Sequence, residues 1–384
     1  MPVSKTSTGS RGALGARRLA AIRRRLLAWY DAHRRDLPWR RTESPYAIWL
    51  SETMLQQTQV ATVIPYYERF LKRYPNVSDL AAAPLDDVLR LWAGLGYYSR
   101  ARNLHRAAIE ITNRYKGRVP DSVELLRTLP GVGRYTAGAV ASIAYDKRAA
   151  VVDGNVSRVL SRLFDIHLDI RSPAGERRIW ETAESLLPRS RAGDFNQALM
   201  ELGATICRPG DAAQCLTCPL RNHCDALAAG NVARLPVKLK KTRVREETHV
   251  VIVADRANKR LWRQRPAKGL WASLWELPSA VSSGASAHAT AVALARDIFG
   301  ESVTVDGRRL CEVSHQLTHR LVRFVAYRAH APGARVRTDM ATPFKWLSNN
   351  AAERVGRSTA MRKLIAAIPE TPVEPSRAMG ARGT

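Results

Sequence analysis

Residues 124–160 read ELLRTLPGVGRYTAGAVASIAYDKRAAVVDGNVSRVL, and the interpretation of the whole chain starts from this stretch. The piece Leu129–Gly133 lies between two segments whose apolar residues recur at helical spacing. Pro130 ends the first segment, because proline lacks a backbone N–H and clashes with the preceding turn. Gly131 and Gly133 allow backbone conformations that side chains forbid. The stretch therefore predicts a helix, a tight glycine turn and a second helix.

The glycine turn is a candidate anion-binding site. Backbone N–H groups in the turn and at the start of the second helix are expected to lack partners, and such a nest suits a phosphate. An ordinary helical hairpin that only packs would contain the same residues. Asp121 with Glu124 predicts a capping box at the start of the first helix. After the second helix, an apolar run ends in a lone carboxylate, Asp153.

The LPGVG turn with an aspartate shortly after it resembles the helix-hairpin-helix element of the endonuclease III and MutY superfamily of DNA base-excision glycosylases. The resemblance is strong over residues 18–225 and weaker over 245–366. It implies a multi-domain protein, in which an all-α, two-lobed helix-hairpin-helix glycosylase domain with an iron–sulfur loop precedes an α+β Nudix-like domain. It also implies that Asp153 is the catalytic aspartate.

The charge balance favours a polyanionic partner. The 384 residues include 61 Lys or Arg and 34 Asp or Glu, which gives a formal charge of +27. Such an excess favours DNA, RNA or an acidic membrane surface without choosing among them. No run approaches the ~20 apolar residues of a membrane helix, and residues 1–30 contain no apolar h-region typical of a secretory signal. Together with the resemblance, this predicts a cytoplasmic, nucleoid-associated monomer that binds double-stranded DNA and no membrane.

Length and composition divide the chain into two main domains. Leu19, Ile22, Leu26 and Trp29 fall on one helical face, which places the first helix at 15–33. A connector with few apolar residues and many charges separates the domains. The predicted segments are a disordered basic arm at 1–14, the glycosylase domain at 15–225 with its iron–sulfur loop at 207–224, a linker at 226–247, the Nudix-like domain at 248–367 and a disordered tail at 368–384.

Cleavage of a glycosidic bond needs a proton for the leaving base and a carboxylate for the developing sugar cation. Residues 51–60, SETMLQQTQV, predict a helix with Glu52 at its start, where the helix dipole alone would favour an acid. The segment resembles MutY, which implies that Glu52 protonates the extruded adenine. Its pKa must then be raised by burial or by the neighbouring carboxylate. Asp153 is expected to stay ionised, with Asn155 hydrogen-bonding in the same site.

Tyr135 is a departure from the pattern of bifunctional relatives. Endonuclease III-type enzymes carry a lysine at this position, and its amine attacks the sugar and leads to strand nicking. Tyrosine cannot form a Schiff base. The sequence therefore predicts a monofunctional glycosylase. The resemblance implies that it hydrolyses the N-glycosidic bond of adenine in A:8-oxoguanine or A:G mispairs. A bifunctional glycosylase/lyase and a non-catalytic DNA-binding protein remain as alternatives.

The resemblance also implies how the chain contacts DNA. Some positions line the adenine pocket or hydrogen-bond the flipped base, some wedge into the duplex, and the hairpin glycines approach the backbone. A solvated glutamine face and ordinary packing are the alternatives for the polar and aromatic members. The adenine-pocket positions are Trp39, Arg40 and Gln197, the positions that wedge into the duplex are Gln57 and Tyr97, and the hairpin glycines are Gly131 and Gly133.

Four of the five cysteines fall in one 18-residue window, at Cys207, Cys215, Cys218 and Cys224. Thiolates at this density predict zinc or an iron–sulfur cluster. Zinc sites usually pair two CxxC units, whereas this window has one. The spacing resembles the C-x6-C-x2-C-x5-C loop of the superfamily, with seven residues in the first gap. The resemblance implies one [4Fe–4S] cluster, while Cys311 is predicted to lie in the core.

The sequence of the second domain predicts a mixture of strands and helices. Trp271 and the segment Trp275–Pro278 resemble the Nudix fold. A Nudix hydrolase needs a glutamate-rich helix for Mg²⁺, yet Asp297 is the only acid between Pro278 and Glu301. Recognition, not pyrophosphatase chemistry, is therefore expected. The predicted strands are Val250–Val253, Arg260–Arg263, Leu321–Tyr327 and Phe344–Leu347, and the predicted helices are 287–299 and 358–367.

The segment HQLTH at residues 315–319 resembles an H-x-F-S-H loop that contacts 8-oxoguanine. Thr318 keeps the hydroxyl of the serine, and Leu317 replaces the aromatic ring. The resemblance implies that Thr318 and His319 contact the damaged base. Polar residues in an ordinary turn between two strands would give the same sequence pattern.

Overall fold

The computed structural model describes residues 8–238, 244–282, 284–317, 319–337 and 342–369. These residues form two compact units, one before and one after the charged connector. The segment Trp92–Tyr98 groups with the second unit, although it precedes the connector in the chain. No helix among the described residues combines the length and apolar character needed to cross a bilayer.

The described part of the first unit is helical throughout. Helix α1 begins at Thr8, so the predicted disordered arm at 1–14 is wrong for residues 8–14, and residues 1–7 lie outside the described part. The α-helices are α1 (Thr8–His33), α2 (Pro45–Leu55), α3 (Val60–Arg73), α4 (Val77–Ala82), α5 (Leu85–Leu91), α6 (Ser99–Tyr115), α7 (Val123–Arg127), α8 (Arg134–Tyr145), α9 (Gly154–Leu163), α10 (Pro173–Leu186), α11 (Ala192–Thr205) and α12 (Asp225–Ala228). Single 3-10 turns occur at Pro38–Arg40, Gly210–Ala212, Cys215–Thr217, Arg221–His223 and Val232–Arg234.

The apolar face predicted for α1 is confirmed. Ile22 and Leu26 are fully buried, and Leu19 and Trp29 pack against the same core, which α1 shares with α9, α10 and α11. Helix α8 packs against both α2 and α11. The helix after the glycine turn therefore lies between the elements that carry the candidate site residues.

The helix-hairpin-helix element forms as predicted, with α7 and α8 joined by the glycine turn. Its cap differs from the prediction. The Ser122 hydroxyl accepts a hydrogen bond from the Leu125 N–H at 3.2 Å, whereas Asp121 lies 3.0 Å from the Lys147 ammonium. The predicted capping box at Asp121 is therefore wrong by one residue, because serine is an equally good N-cap and lies closer to the helix.

The two hairpin glycines have different roles. Gly131 has φ +75°, and a Cβ atom there would lie 2.5 Å from the Cβ of Asn103 in α6. Gly133 has φ −84° and open space in the direction of a Cβ. The conformational argument therefore holds for Gly131 and is wrong for Gly133, since any residue can adopt the backbone found there.

The predicted linker at 226–247 is ordered at its start. Leu235 is only 2% exposed, and its carbonyl accepts a 3.0 Å hydrogen bond from the buried Arg162 guanidinium. Residues 239–243 lie outside the described part, and the first strand of the second unit begins at Arg245.

The second unit contains eight described strands in two four-stranded sheets. The strands are β1 (Arg245–Val253), β2 (Asp255–Arg256), β3 (Lys259–Gln264), β4 (Trp275–Glu276), β5 (Ser279–Val281), β6 (Thr304–Gln316), β7 (Arg320–His330) and β8 (Phe344–Leu347). The first sheet has the strand order β5-β1-β7-β6, and the second has the order β2-β3-β4 with β8 also paired to β3. Strands β1 and β7 are parallel, and the other pairs are antiparallel. The helices are α13 (Ala287–Phe299), α14 (Asn349–Glu353) and α15 (Thr359–Ala367).

Helices cover both faces of the first sheet. Val250 and Ile252 pack on the side of α13, while Val251 and Val253 pack on the side of α15. A strand buried on both faces reads as a continuous apolar run, which is why β1 is recognisable in the sequence. Cys311, whose sequence surroundings have an apolar strand pattern, lies in β6 and packs partly buried against the core. The full length of β6 was not predicted, because it is a mostly exposed edge strand with an irregular register and many charged residues.

Candidate active site

Glu52 lies in the last turn of α2 and not at the start of a helix. The predicted helix at 51–60 is wrong, since α2 ends at Leu55 and α3 begins at Val60. The carboxyl end of a helix dipole disfavours a negative charge, so the simple explanation of Glu52 as a dipole-stabilised acid fails. The residue is only 5% exposed. The helix dipole therefore does not explain a buried glutamate at this position.

The environment of Glu52 favours its protonated form. Burial is the largest effect and, with the nearby Asp153, raises the pKa of Glu52 to about 7, while the hydrogen bond from Tyr135 and the charge of Arg40 lower it. The direction and both causes agree with the raised pKa expected of Glu52, and its role as general acid remains a prediction. At neutral pH such a group is poised to give up a proton.

Asp153 is the N-cap of α9. Its Oδ1 accepts the Val156 N–H at 2.7 Å, and its Oδ2 accepts the Asn155 side-chain amide at 3.2 Å. Burial raises the pKa of Asp153, and the hydrogen bonds from Val156 and Asn155 and the charge of Arg158 oppose that rise. The expectation that Asp153 is ionised remains a prediction, which these hydrogen bonds support.

Tyr135 on α8 contacts Glu52 directly and lies close enough to Asp153 to feel its charge. Its hydroxyl donates to Glu52 Oε2 at 2.6 Å, and the Met200 sulfur lies 3.5 Å from the same hydroxyl. Burial, Glu52 and Asp153 all raise the pKa of Tyr135 well above its ordinary value. The tyrosine therefore stays protonated as a hydrogen-bond donor. Glu52, Tyr135 and Asp153, which are far apart in the sequence, form one site.

The Trp39–Arg40 pair lies beside this site. Trp39 is buried and packs edge-on against Tyr67. The Arg40 guanidinium donates to the buried Glu201 carboxylate at 2.9 Å and lies over the Tyr30 ring. The positive charge of Arg40 lowers the pKa of Glu52. Arg40 is thus near Glu52, and part of its guanidinium forms an ion pair with Glu201 inside the protein. Its direct contact with adenine remains a prediction.

Comparison with known proteins agrees with this geometry. Residues 50–185 match the model of HhH-GPD superfamily base excision DNA repair proteins, and residues 249–367 match the NUDIX domain model. The adenine DNA glycosylases of Rattus norvegicus and Homo sapiens are each 37% identical over 90% of this chain, and the matches cover 78% and 74% of those proteins.

The chain belongs to the adenine DNA glycosylase family. The predicted resemblance and the predicted fold class are therefore confirmed. A solved structure of a thermostable thymine-DNA glycosylase is 32% identical, with a TM-score of 0.52, and covers 56% of this chain and 99% of that one. It corresponds in extent to the helical half of this family member.

The remaining predicted contact residues are spread over the fold. Gln57 is exposed after α2 with φ +57°. Gln197 is half-buried on α11, one turn from Met200, and its side-chain amide has no hydrogen bond to another described residue. Tyr97 is 41% exposed with φ +46°. Their roles in this family member remain predictions.

The predicted damage-recognition loop lies at the turn between β6 and β7. His319 is exposed there, and its carbonyl accepts a 3.1 Å hydrogen bond from the Arg245 N–H. Thr318 lies outside the described residues. Helix α13 carries Asp297 as its only acid, so the described structure offers no acidic Mg²⁺ site on that helix.

Two arginines on α9 were missed by the sequence interpretation. Arg158 donates to Asn155 Oδ1 and to the Gly203 carbonyl, each at 2.8 Å, and to the Cys207 carbonyl at 2.8 Å. Arg162 is 1% exposed and donates to the Arg208 carbonyl at 2.7 Å. Their spacing of four residues, which places both on one face of α9, was the available signal. Because the chain is so basic, it did not stand out.

The four clustered cysteines line a single cavity. All are free thiols, and the cavity also contains the Arg162 and Ile206 side chains. Burial raises the pKa of Cys218 to about 11, with smaller contributions from the other three thiols, which places the four sulfurs near one another. No described group of three or more His, Cys, Asp or Glu side chains is arranged to hold a single metal ion. Four thiols around one cavity can hold a soft metal ion or an iron–sulfur cluster.

Gly203 fixes how closely α11 approaches the active site. A Cβ atom at Gly203 would lie 2.7 Å from the Cβ of Asn155. We expect Gly203→Ala to push Asn155 away and to lower the free energy of unfolding by about 1–3 kcal/mol, measured by urea denaturation. Gly154→Ala is the matched control, since its Cβ would meet open space, and should change stability by less than about 0.5 kcal/mol. Equal losses in the two variants would contradict this packing argument.

Proposed function

We propose that this protein hydrolyses the N-glycosidic bond of adenine mispaired with 8-oxoguanine or guanine in double-stranded DNA, as a monofunctional glycosylase in base excision repair. The observation that carries the proposal is a buried Glu52 that accepts a hydrogen bond from Tyr135 and whose pKa is raised by burial and by the nearby charge of Asp153. The names of the relatives, adenine DNA glycosylases, support the same base. Flipping adenine out of the duplex costs a few kcal/mol, which DNA contacts must supply.

In the proposed reaction, Glu52 transfers its proton to the extruded adenine as the bond to the sugar breaks. The bonding electrons leave with the base, and the Asp153 carboxylate stabilises the positive charge that develops on the deoxyribose. Water then adds to the sugar carbon, and its proton returns to the carboxylate of Glu52. Tyr135 and Asn155 keep the two carboxyl groups in place through their hydrogen bonds.

The absence of a lysine nucleophile at position 135 supports hydrolysis without strand nicking. The Tyr135 hydroxyl is buried and donates to Glu52. A phenol cannot form the imine that lyase chemistry requires. The product in this proposal is therefore an intact strand with an abasic site.

Recognition of the mispair is proposed to need both units. The first supplies the adenine site with Trp39, Arg40 and Gln197, and the second supplies the exposed His319 with its neighbour Thr318 for the damaged base. The net charge of +27 supports a duplex DNA partner. We propose a monomer acting on chromosomal DNA in the cytoplasm.

We also propose that Cys207, Cys215, Cys218 and Cys224 hold one [4Fe–4S] cluster. Their shared cavity and the internal arginines beside it support this assignment. When bound, the cluster would supply a rigid crosslink to the 207–224 loop and no step of the reaction. The extra residue in the first gap would be accommodated by the 3-10 turn at Gly210–Ala212.

The substrate assignment is tested by single-turnover excision on duplexes that differ only in the base opposite adenine. We expect release from A:8-oxoguanine and A:G and none from A:T. Asp153→Asn should lower the rate by more than about a hundredfold while DNA binding persists, since asparagine is an equally good N-cap and preserves α9. Unchanged release by this variant would support the non-catalytic alternative, and a strong borohydride-trapped adduct would support the lyase.

The excision rate should fall as the pH rises through about 7, where Glu52 loses its proton. The protonated form is the active one, so the rate at limiting enzyme should drop about tenfold between pH 6 and pH 8. In Tyr135→Phe the hydrogen bond that lowers the pKa of Glu52 is lost, so the fall should move to higher pH. A rate that stays flat across this range, or a shift to lower pH in the variant, contradicts the assignment of Glu52.

The cofactor is tested by metal analysis of the purified protein. We expect about four iron atoms per chain and negligible zinc, with the iron lost in Cys218→Ser. Cys311→Ser is the matched control and should retain the full iron content, because Cys311 lies in the second unit. Stoichiometric zinc in place of iron would show that the assignment is wrong.

A further inference from the structure

The carboxyl end of α2 is capped by an arginine from another helix. Arg100, in the first turn of α6, is only 8% exposed. Its Nη1 donates to the carbonyls of Thr53 and Met54 at 2.9 and 2.7 Å. These carbonyls belong to the last turn of α2, which has no helical N–H groups left to pair with them. A cation in this position also opposes the negative end of the helix dipole.

The same guanidinium continues past the end of the helix. Its Nη1 donates to the Gln56 carbonyl at 2.6 Å, and its Nη2 donates to the Thr58 hydroxyl at 3.1 Å. The two acceptors are the residues on either side of Gln57. Arg100 therefore holds the chain both before and after Gln57.

Gln57 has a backbone conformation that it would not adopt by preference. The Thr58 N–H donates to the Leu55 carbonyl at 3.2 Å, and Gln56 has φ −57° and ψ 111°. These values, with φ +57° at Gln57, describe a type II turn, whose third position normally needs glycine or asparagine. Such a conformation persists in a larger side chain only when the surroundings hold it.

We propose that Arg100 is a positioning residue that holds Gln57 in its left-handed conformation, so that the exposed amide is ready to enter the DNA duplex. This inference rests on the proposed function for the role of Gln57. The contacts themselves do not depend on it. Because Arg100 also binds the carbonyl of Thr53, the residue after Glu52, one side chain fixes the acid and the wedge relative to each other.

The first test concerns the protein alone. Arg100→Lys keeps the charge but cannot reach four acceptors at once, since lysine lacks the planar fork. We expect amide hydrogen exchange of residues 56–59 to rise about tenfold, with residues 105–115 of α6 unchanged. Arg114→Lys, an exposed position on the same helix, is the matched control and should leave exchange at 56–59 unaltered. Equal protection of residues 56–59 in Arg100→Lys and the parent chain overturns the proposal.

Thr58→Val is the second, milder variant, to be used if Arg100→Lys does not fold. It removes only the acceptor for Nη2 and keeps the volume of the side chain. Exchange of residues 56–59 should again rise, by a smaller factor. No rise in a folded Thr58→Val protein would also count against the proposal.

The second test asks whether Arg100 acts through Gln57. We expect Arg100→Lys and Gln57→Ala each to lower the single-turnover excision rate, with the double variant no slower than the slower single variant. Such non-additivity is the signature of residues that act together. If the two losses multiply in full, Arg100 contributes only to general stability and the proposal fails. If the unaltered protein releases no adenine, the proposed function fails, and the exchange measurement alone decides the role of Arg100.

Discussion

The 2.6 Å hydrogen bond between Tyr135 and Glu52 is the interaction on which the candidate chemistry depends. It holds a buried acid at the unfavourable end of a helix dipole, next to a second carboxylate. Burial and like charge both favour the protonated form of Glu52, and the tyrosine keeps it oriented. At neutral pH a substantial fraction of Glu52 is therefore protonated, as the proposed role of proton donor requires.

This arrangement depends on close approaches between helices. Helix α8 packs against α2 and α11, which brings Tyr135 to Glu52, and Gly203 lets α11 touch Asn155 beside Asp153. The candidate catalytic carboxylates come from different parts of the helical core: Glu52 from α2 and Asp153 from the start of α9. A small shift of any of these helices would separate groups that must meet at one nucleotide.

The buried arginines change the meaning of the large positive charge. Arg100, Arg158 and Arg162 are buried, and most of their hydrogen bonds go to backbone carbonyls inside the protein. Arg40 is bound to the buried Glu201. Part of the formal +27 therefore supports helix ends and loops inside the protein. The remaining exposed cations are the ones available to a polyanion.

The sequence by itself determined the family, the two kinds of domain, the helix-hairpin-helix turn and the identity of the candidate catalytic residues. These features depend on local spacing: LPGVG, the aspartate that follows it, the cysteine window and the apolar runs of strands such as β1. Local patterns of this kind survive in one dimension because proline, glycine and apolar periodicity act on neighbouring residues.

Only the tertiary structure decided where Glu52 lies in its helix, that Tyr135 bonds to it, and what the buried arginines do. It also showed that Ser122 caps the hairpin, that Gly133 has no need to be glycine, and that β6 is an exposed edge strand. These outcomes depend on contacts between residues that are distant in the chain. Burial, and with it the pKa of an acid or the partner of a guanidinium, is set by packing and leaves no periodic signal in the sequence.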